Sequence, residues 1–325
     1  MQKPRSDRQA HPITLTSRIP NDAKGTTLLN FLCERFRYLK RDGWIAELAD
    51  GRIALDETKA TGDEQLRGGM ILRYQKDHTE PQVSLDFHIL HQDADLLAIN
   101  KPSHLPMHAD GPFIRNTLIY RLREQFGSEL QLIHRLDRET SGICIVATNK
   151  SAQAAVQSQF ADNNQAGSIR KVYMAVVKGL LKEPLRCDQP IGHSQHSKIS
   201  LRRSADDDAK NPKPACTVLE PVEQGNNKTL VRCLPETGRT HQIRVHLEHA
   251  GHPIIGDKLY GHPDSNYLAF VARMKAGGSV FEDTELAPNR HPLHAHQIHL
   301  RHPSTNQQQC LEAPLPEEFE RWLLL

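Results

Sequence analysis

No uninterrupted apolar run in this chain of 325 residues exceeds six residues; two that stand out are LLAI at 96–99 and ICIVA at 143–147. Runs of that length suit strands buried on both faces, and fall far short of the roughly 20 apolar residues that span a bilayer. No membrane segment is expected. The start, MQKPRSDRQAHPITL, lacks the apolar stretch of a secretory signal. The six cysteines are scattered, none in a C-x2-4-C spacing, and Cys144 sits inside an apolar run. These features predict a cytoplasmic chain with reduced thiols.

Around those runs the element types are mixed. Leu28, Phe31, Leu32 and Phe36 recur at helical spacing, and Trp44, Ile45 and Leu48 mark a second short helix. GRIAL and GGMILRY then read as strands. Further on, Asn116 caps a helix TLIYRLREQF, SAQAAVQSQFA reads as another helix, and residues 172–177 and 229–234 read as strands. Residues 194–213 and parts of 262–290 are polar and turn-rich, and read as surface loops. Strands and helices without a strict βαβ rhythm favour an α+β fold. The expected organisation is a flexible arm at 1–15, a compact unit at 16–75, a linker at 76–85 and a larger domain at 86–325.

Charge gives little away. With 41 Lys+Arg against 39 Asp+Glu, the formal net charge is +2, so a nucleic-acid partner would have to be held by local basic patches. There is no GxGxxG, GxxxxGK[ST], HExxH or GxSxG, so no nucleotide cofactor is expected.

Five segments are candidates for chemistry. HRLDRETSG (134–142) lies between two apolar stretches, where flanking strands would fix a loop carrying Asp137, Arg135 and Arg138; alone, it also reads as a turn with a surface ion pair. In GRTHQIRVHLEHAGHPIIGD (238–257), Thr240 is a plausible N-cap and Gly251 the C′ glycine. Ile243, Leu247 and Ala250 line one helical face there and leave Arg244 to reach a partner; the alternative is an ordinary amphipathic helix with a basic outer face. RKVYMAVVKG (170–179) puts Lys171 and Tyr173 on one strand face, where a tyrosine among basic residues either stacks on a nucleobase or simply packs. AINKPSHLPMHADG (98–111) carries Lys101, which either meets a phosphate or sits in an unremarkable loop. HPLHAHQIHLRHP (291–303) holds five of the 19 histidines without a nearby acidic or cysteine ligand, and no metal site is expected there.

In this order the five segments resemble the RluA-type family of RNA pseudouridine synthases. HRLDRETSG is similar to that family's HRLDxxTSG, NKPSHLPMH to NKPxGLxVH, RKVYMAVVKG to a K-x-Y motif, GRTHQIRVHLEHAGHPIIGDKLYG to GRTHQIRVH…GHPIxGDxxYG, and HPLHAHQIHLRHP to LHA…L…HP. His104 departs from it, standing where the family usually has Gly. Residues 16–75 resemble a degenerate S4-type RNA-binding domain, with Arg35, Arg37, Lys40 and Arg41 where such folds present a basic helix.

The resemblance implies a mixed, largely antiparallel central sheet with flanking helices, and an enzyme that isomerises uridine to pseudouridine in structured RNA, ribosomal RNA before tRNA, without a cofactor and as a monomer. It implies Asp137 as the catalytic carboxylate, Arg244 as its partner and Tyr173 against the base. Arg135 would take the flipped nucleotide's place, and Lys171, Lys101, His134 and the N-terminal basic residues would hold the RNA. The alternatives are a non-catalytic RNA-binding protein on the same fold, and a metal-dependent hydrolase using the C-terminal histidines.

Overall fold

The computed structural model describes residues 10–161, 169–275 and 288–325, and the chain divides into two compact units between Glu80 and Pro81. The smaller contains β1 (Ala10–Arg18), α1 (Leu28–Arg35), α2 (Arg41–Ala49), β2 (Ile53–Leu55), β3 (Thr58–Lys59) and β4 (Ile71–Thr79), with sheet order β1-β4-β2-β3. Leu28, Phe31 and Leu32 of α1 and Trp44 and Leu48 of α2 form its core with Ile53, Leu55, Leu72 and Tyr74. The indole N–H of Trp44, fully buried, donates to the Phe36 carbonyl at 3.3 Å.

Two boundaries differ from the expectation. Residues 10–15, expected in a flexible arm, make most of β1, which pairs with β4 from Ala10↔Thr79 to Arg18↔Ile71. Residues 76–79, expected in a linker, are the far end of β4. Both stretches read as polar because only alternate side chains face the core, while the backbone groups of each strand are satisfied by the other. Residues 1–9 lie outside the described residues.

The larger unit contains β5 (His88–Gln92), β6 (Leu96–Lys101), α3 (Leu118–Phe126), β7 (Gln131–Leu132), β8 (Ser141–Ala147), α4 (Lys150–Ala161), β9 (Arg170–Lys178), β10 (Leu185–Cys187), β11 (Ile191–His193), β12 (Arg203–Ser204), β13 (Lys210–Lys213), β14 (Thr217–Gln224), β15 (Lys228–Pro235), α5 (Gln242–His249), α6 (Asp264–Lys275), β16 (Leu293–Arg301), β17 (Gln308–Glu312) and α7 (Glu318–Leu324). Its main sheet runs β10-β14-β15-β9-β16-β8-β6-β5, with β17 beside β16 and β7 beside β8. Every pairing is antiparallel except β16 with β8, so the sheet is mixed and largely antiparallel, as expected. All seven residues of β8 are buried, which accounts for its unbroken apolar run. Among the described residues no helix is long and apolar enough to cross a membrane.

Local readings shift in three places. The side chain of Thr117, not Asn116, caps α3 by accepting from the Tyr120 N–H, while Asn116 donates to the Pro81 carbonyl at 3.0 Å. Residues 194–213, expected as loop, contain β12 and β13, which flank β11 in a three-stranded sheet. Its strands are two to four residues long and largely polar, too short for an alternation to show. In 262–290, residues 264–275 are α6, and 276–287 lie outside the described residues.

The parallel contact between β16 and β8 pairs His294 with Ser141 and Ala295 with Gly142. Gly142 has φ +107°, and a Cβ there would fall on the backbone of Ala295, well inside van der Waals contact. Glycine is therefore required twice, by conformation and by space. Gly142→Ala is expected to cost about 3 kcal/mol or to abolish folding; urea denaturation that gives an unchanged midpoint would contradict this.

Candidate active site

Asp137 sits on the loop from β7 into β8, in a turn closed by the Thr140 N–H donating to the Asp137 carbonyl at 3.1 Å. Facing it is the start of α5. His241, rather than Thr240, is the N-cap, with φ 59°. At the other end the expected C′ glycine is present: Gly251 has φ +80°, its N–H donates to Glu248 and that of His252 to Leu247, a Schellman ending. An amphipathic helix with a basic outer face does not describe α5, because residues 242–247 are all buried.

Arg244 is directed to two carboxylates at once. Nη1 donates to Asp137 Oδ2 at 2.8 Å, while Nε and Nη2 donate to Asp257 Oδ2 and Oδ1 at 2.7 and 2.9 Å. Asp257 is 1% exposed, and its Oδ1 also accepts from the N–H groups of Leu259 and Tyr260. The bidentate bond fixes the guanidinium plane, and that plane aims Nη1 at Asp137. Asp257 was not singled out from sequence. The available signal was its place in the GHPIIGDKLYG segment after α5, which is similar to the family's GHPIxGDxxYG.

A second buried cluster anchors the same loop. Glu139, 7% exposed, pairs with Lys258 at 2.7 Å and with Arg138 at 3.3 Å. Thr140 Oγ1 lies 2.9 Å from His291 Nε2. Lys101 corrects an expectation. It is fully buried, and its Nζ donates to the carbonyls of Pro102, Leu105 and Arg138 at 2.8, 3.0 and 3.3 Å, so it ties two loops together and cannot meet a phosphate. Burial brings its pKa down to about 7. His134, expected to touch RNA, is also turned inward: its Nε2 accepts the Ile145 N–H at 3.0 Å and its ring packs on Phe160. His104, at the position where glycine resembles the family pattern, has φ 59°, the left-handed region that glycine occupies most easily.

The remaining sequence-derived residues of this unit line one cleft of about 960 Å³, into which Asp137, Arg135, Lys171, Tyr173 and Arg244 all project. Arg135 is exposed, its Nη1 3.2 Å from His108 Nε2. Lys171 donates to the Thr237 carbonyl at 3.3 Å and lies over the Phe160 ring; burial lowers its pKa to about 8. Burial, reinforced by the Asp137 charge, pushes the Tyr173 phenol well above its ordinary value, so it is a neutral hydroxyl. In the smaller unit Arg35, Arg37, Lys40 and Arg41 are exposed, but they straddle the end of α1, the turn and the first residue of α2 rather than lying along one helix.

Burial opposes ionisation of Asp137, but the Arg244 charge and hydrogen bond, with the nearby imidazoles of His241 and His291, outweigh it, and its carboxyl is held below the usual range. Asp257 and Glu139 are depressed likewise, against burial, chiefly by Arg244 and Lys258 respectively. The histidines go the other way. Burial lowers His241 to about 4, and His291 and His294 to about 3. His294 lies against Ser141 Oγ and the Ala313 carbonyl, and His296 against the same carbonyl. Among the described residues no group of three or more His, Cys, Asp or Glu could hold a metal ion.

Two expectations follow. Asp257→Ala leaves a buried cation half-paired and is expected to cost about 3 kcal/mol in urea denaturation at pH 7. His241, His291 and His294 stay neutral in the folded chain while the unfolded chain binds their protons below about pH 6.5. Stability should therefore fall as the pH is lowered from about 6.5 toward 4, by up to about 1.4 kcal/mol per pH unit for each histidine. The three depressed carboxylates extend the loss below about pH 4.5. A denaturation midpoint unchanged between pH 7.5 and 5 would refute this.

Comparison with known proteins fits this geometry. A family model described as RNA pseudouridylate synthase matches residues 95–249. An uncharacterized RNA pseudouridine synthase of Synechocystis is 31% identical over 295 residues, covering 90% of this chain and 95% of its own. Ribosomal large subunit pseudouridine synthase C of Haemophilus ducreyi is 31% identical over 323 residues, covering 93% and 92%. The solved structure of human RNA pseudouridylate synthase domain containing 1 superposes with a TM-score of 0.56 at 27% identity, covering 73% of this chain and 86% of that one. The α+β fold with its cleft is thus that of an RNA-modifying isomerase. The chain belongs to the RluA-type family of RNA pseudouridine synthases.

Proposed function

We propose that Asp137 is the catalytic carboxylate of this synthase, that its substrate is a uridine of large-subunit ribosomal RNA, and that the smaller unit is an S4-like RNA-binding domain. The observation that carries the first part is the Asp137 carboxylate itself. Oδ2 is held by Arg244, Oδ1 has no hydrogen-bond partner among the described residues, and Asp137 lines the cleft.

Conversion of uridine to pseudouridine cuts N1–C1′, turns the base and joins C5 to C1′, with no oxidation or hydrolysis. An ionised carboxylate is the group needed to meet an electron-poor sugar or base carbon. Arg244 keeps Asp137 ionised and oriented. Tyr173 packs beside the base as a neutral phenol; it takes the C5 proton only if it passes its own on. A stacked uracil cannot reach this cleft, so the nucleotide is flipped out, and exposed Arg135 fills the place it leaves. Lys171 at the cleft, and Arg35, Arg37, Lys40 and Arg41 on the smaller unit, supply phosphate contacts. Two helices set between β1 and β2 of a small antiparallel sheet support the S4-like reading of that unit. Among the described residues all six cysteines are free thiols, which supports a cytoplasmic location.

Asp137→Asn is expected to bind transcribed large-subunit RNA within about twofold of the parent, and to release tritium from C5-labelled uridine at least about a thousandfold more slowly. Appreciable release would remove Asp137 from this role. Pseudouridine mapping of total RNA from a strain lacking the gene should lose a site in large-subunit ribosomal RNA. Loss only from tRNA would overturn the substrate assignment.

A further inference from the structure

His241 adopts a backbone conformation uncommon for residues other than glycine, with φ 59°, and this places its ring at the floor of the cleft. Its side chain is 7% exposed, and Nε2 lies 3.9 Å from Asp137 Oδ2, the oxygen already held by Arg244. On the other side of the ring, Nδ1 is 2.8 Å from the Tyr260 hydroxyl, which accepts the Arg203 N–H at 3.1 Å. Tyr260 is fully buried. These contacts decide the tautomer. The hydroxyl oxygen is already accepting from Arg203, and the one acceptor within reach of its own hydrogen among the described residues is His241 Nδ1. Tyr260 therefore donates to Nδ1, and the imidazole proton is on Nε2, facing the carboxylate.

We propose that His241 is a positioning residue for Asp137: Tyr260 locks its imidazole with the proton on Nε2, and that N–H joins Arg244 in a two-donor clamp on Oδ2, leaving Oδ1 to the substrate. At 3.9 Å the contact is about 1 Å longer than a hydrogen bond. A small turn of the carboxylate as substrate enters closes it, and such contacts are often long before substrate binds. The Tyr260 ring is itself fixed, with the guanidinium of Arg244 4.8 Å from its centroid and that of Arg202 5.5 Å on the same ring. The clamp thus links the loop of Asp137, the start of α5, the turn after Asp257 and β12, which carries Arg203. The assignment rests on Asp137 being the catalytic carboxylate.

The groups facing the carboxylate are Arg244 and His241 from α5, His291 from the segment before β16, Tyr173 from β9 and Lys101 from β6; those facing His241 are Tyr260, Arg203, Arg244 and Asp257. Among the donors to Oδ2, only the His241 contact depends on Tyr260. Removing it weakens the hold on the ionised carboxylate, so Asp137 should protonate at a higher pH.

The test uses the full chain on transcribed large-subunit RNA carrying C5-tritiated uridine. His241→Asn is the main variant, because Asn tolerates positive φ but cannot bridge Tyr260 to Asp137. It should lower kcat by about 10- to 100-fold with KM within twofold, and move the acid limb of the kcat profile upward by about half a pH unit or more. Tyr260→Phe, which keeps the ring, should lower kcat by about three- to tenfold alone and have no further effect in the His241→Asn background. Full kcat for His241→Asn, or an undiminished effect of Tyr260→Phe in that background, overturns the proposal. Asp137→Asn run in parallel separates the two readings: if it is inactive while His241→Asn is fully active, only the role of His241 falls; if it is active, the role of Asp137 falls.

Discussion

The guanidinium of Arg244 is shared between two carboxylates that come to it from opposite directions in the chain, Asp257 from 13 residues away and Asp137 from 107. A guanidinium is planar and its donors form a rigid fork, so binding one carboxylate bidentately dictates where the remaining donor points. Asp257 is therefore the reference and Asp137 the group being placed. The rest of the unit serves this arrangement: α5 delivers the arginine, the turn after α5 returns the reference carboxylate, and the loop entering β8 brings the third member. A lysine at 244 could neutralise charge but could not transmit direction.

The interior tolerates this density of charge because it is paired nearly one to one. Glu139 is matched to Lys258 and Arg138, and Asp137 and Asp257 share Arg244. The histidines that crowd the same region do not add cations, since burial keeps them neutral at ordinary pH. They act as short hydrogen-bonding spacers. His291 reaches Thr140, His294 reaches Ser141, and each thereby holds a residue of the TSG turn that follows Asp137. These two histidines are architectural supports of the loop that carries Asp137.

The elements legible in the sequence were those whose chemistry is carried by spacing. The buried strands β6 and β8 follow from unbroken apolar runs, while the clustering of Asp137, Tyr173 and Arg244 is what the resemblance of their motifs to the RluA-type family implies. What could not be read was direction. Lys101 sits beside a Pro-rich turn in the manner of a phosphate-binding lysine, yet it faces inward onto three carbonyls, and no local pattern distinguishes the two. Asp257 carries no local sign of its role because its partner is fixed by tertiary packing. The β11–β13 sheet and the outer half of β1 escaped notice because polar strands satisfy each other through the backbone, which leaves no trace in hydropathy.

The sheet order has a consequence for how the enzyme comes into being. The strands β5, β6 and β8 on one side, and β9, β10, β14 and β15 on the other, precede β16 in the chain, yet β16 is the strand that lies between β8 and β9. A ribosome-bound chain that has emerged only as far as α6 already carries Asp137, Tyr173, Arg244 and Asp257, but lacks the strand that closes the sheet across them. Long-range pairing of this kind forms late and slowly. A chain cut short before residue 293 would therefore retain Asp137, Tyr173, Arg244 and Asp257 but lack the strand that joins the two halves of the sheet.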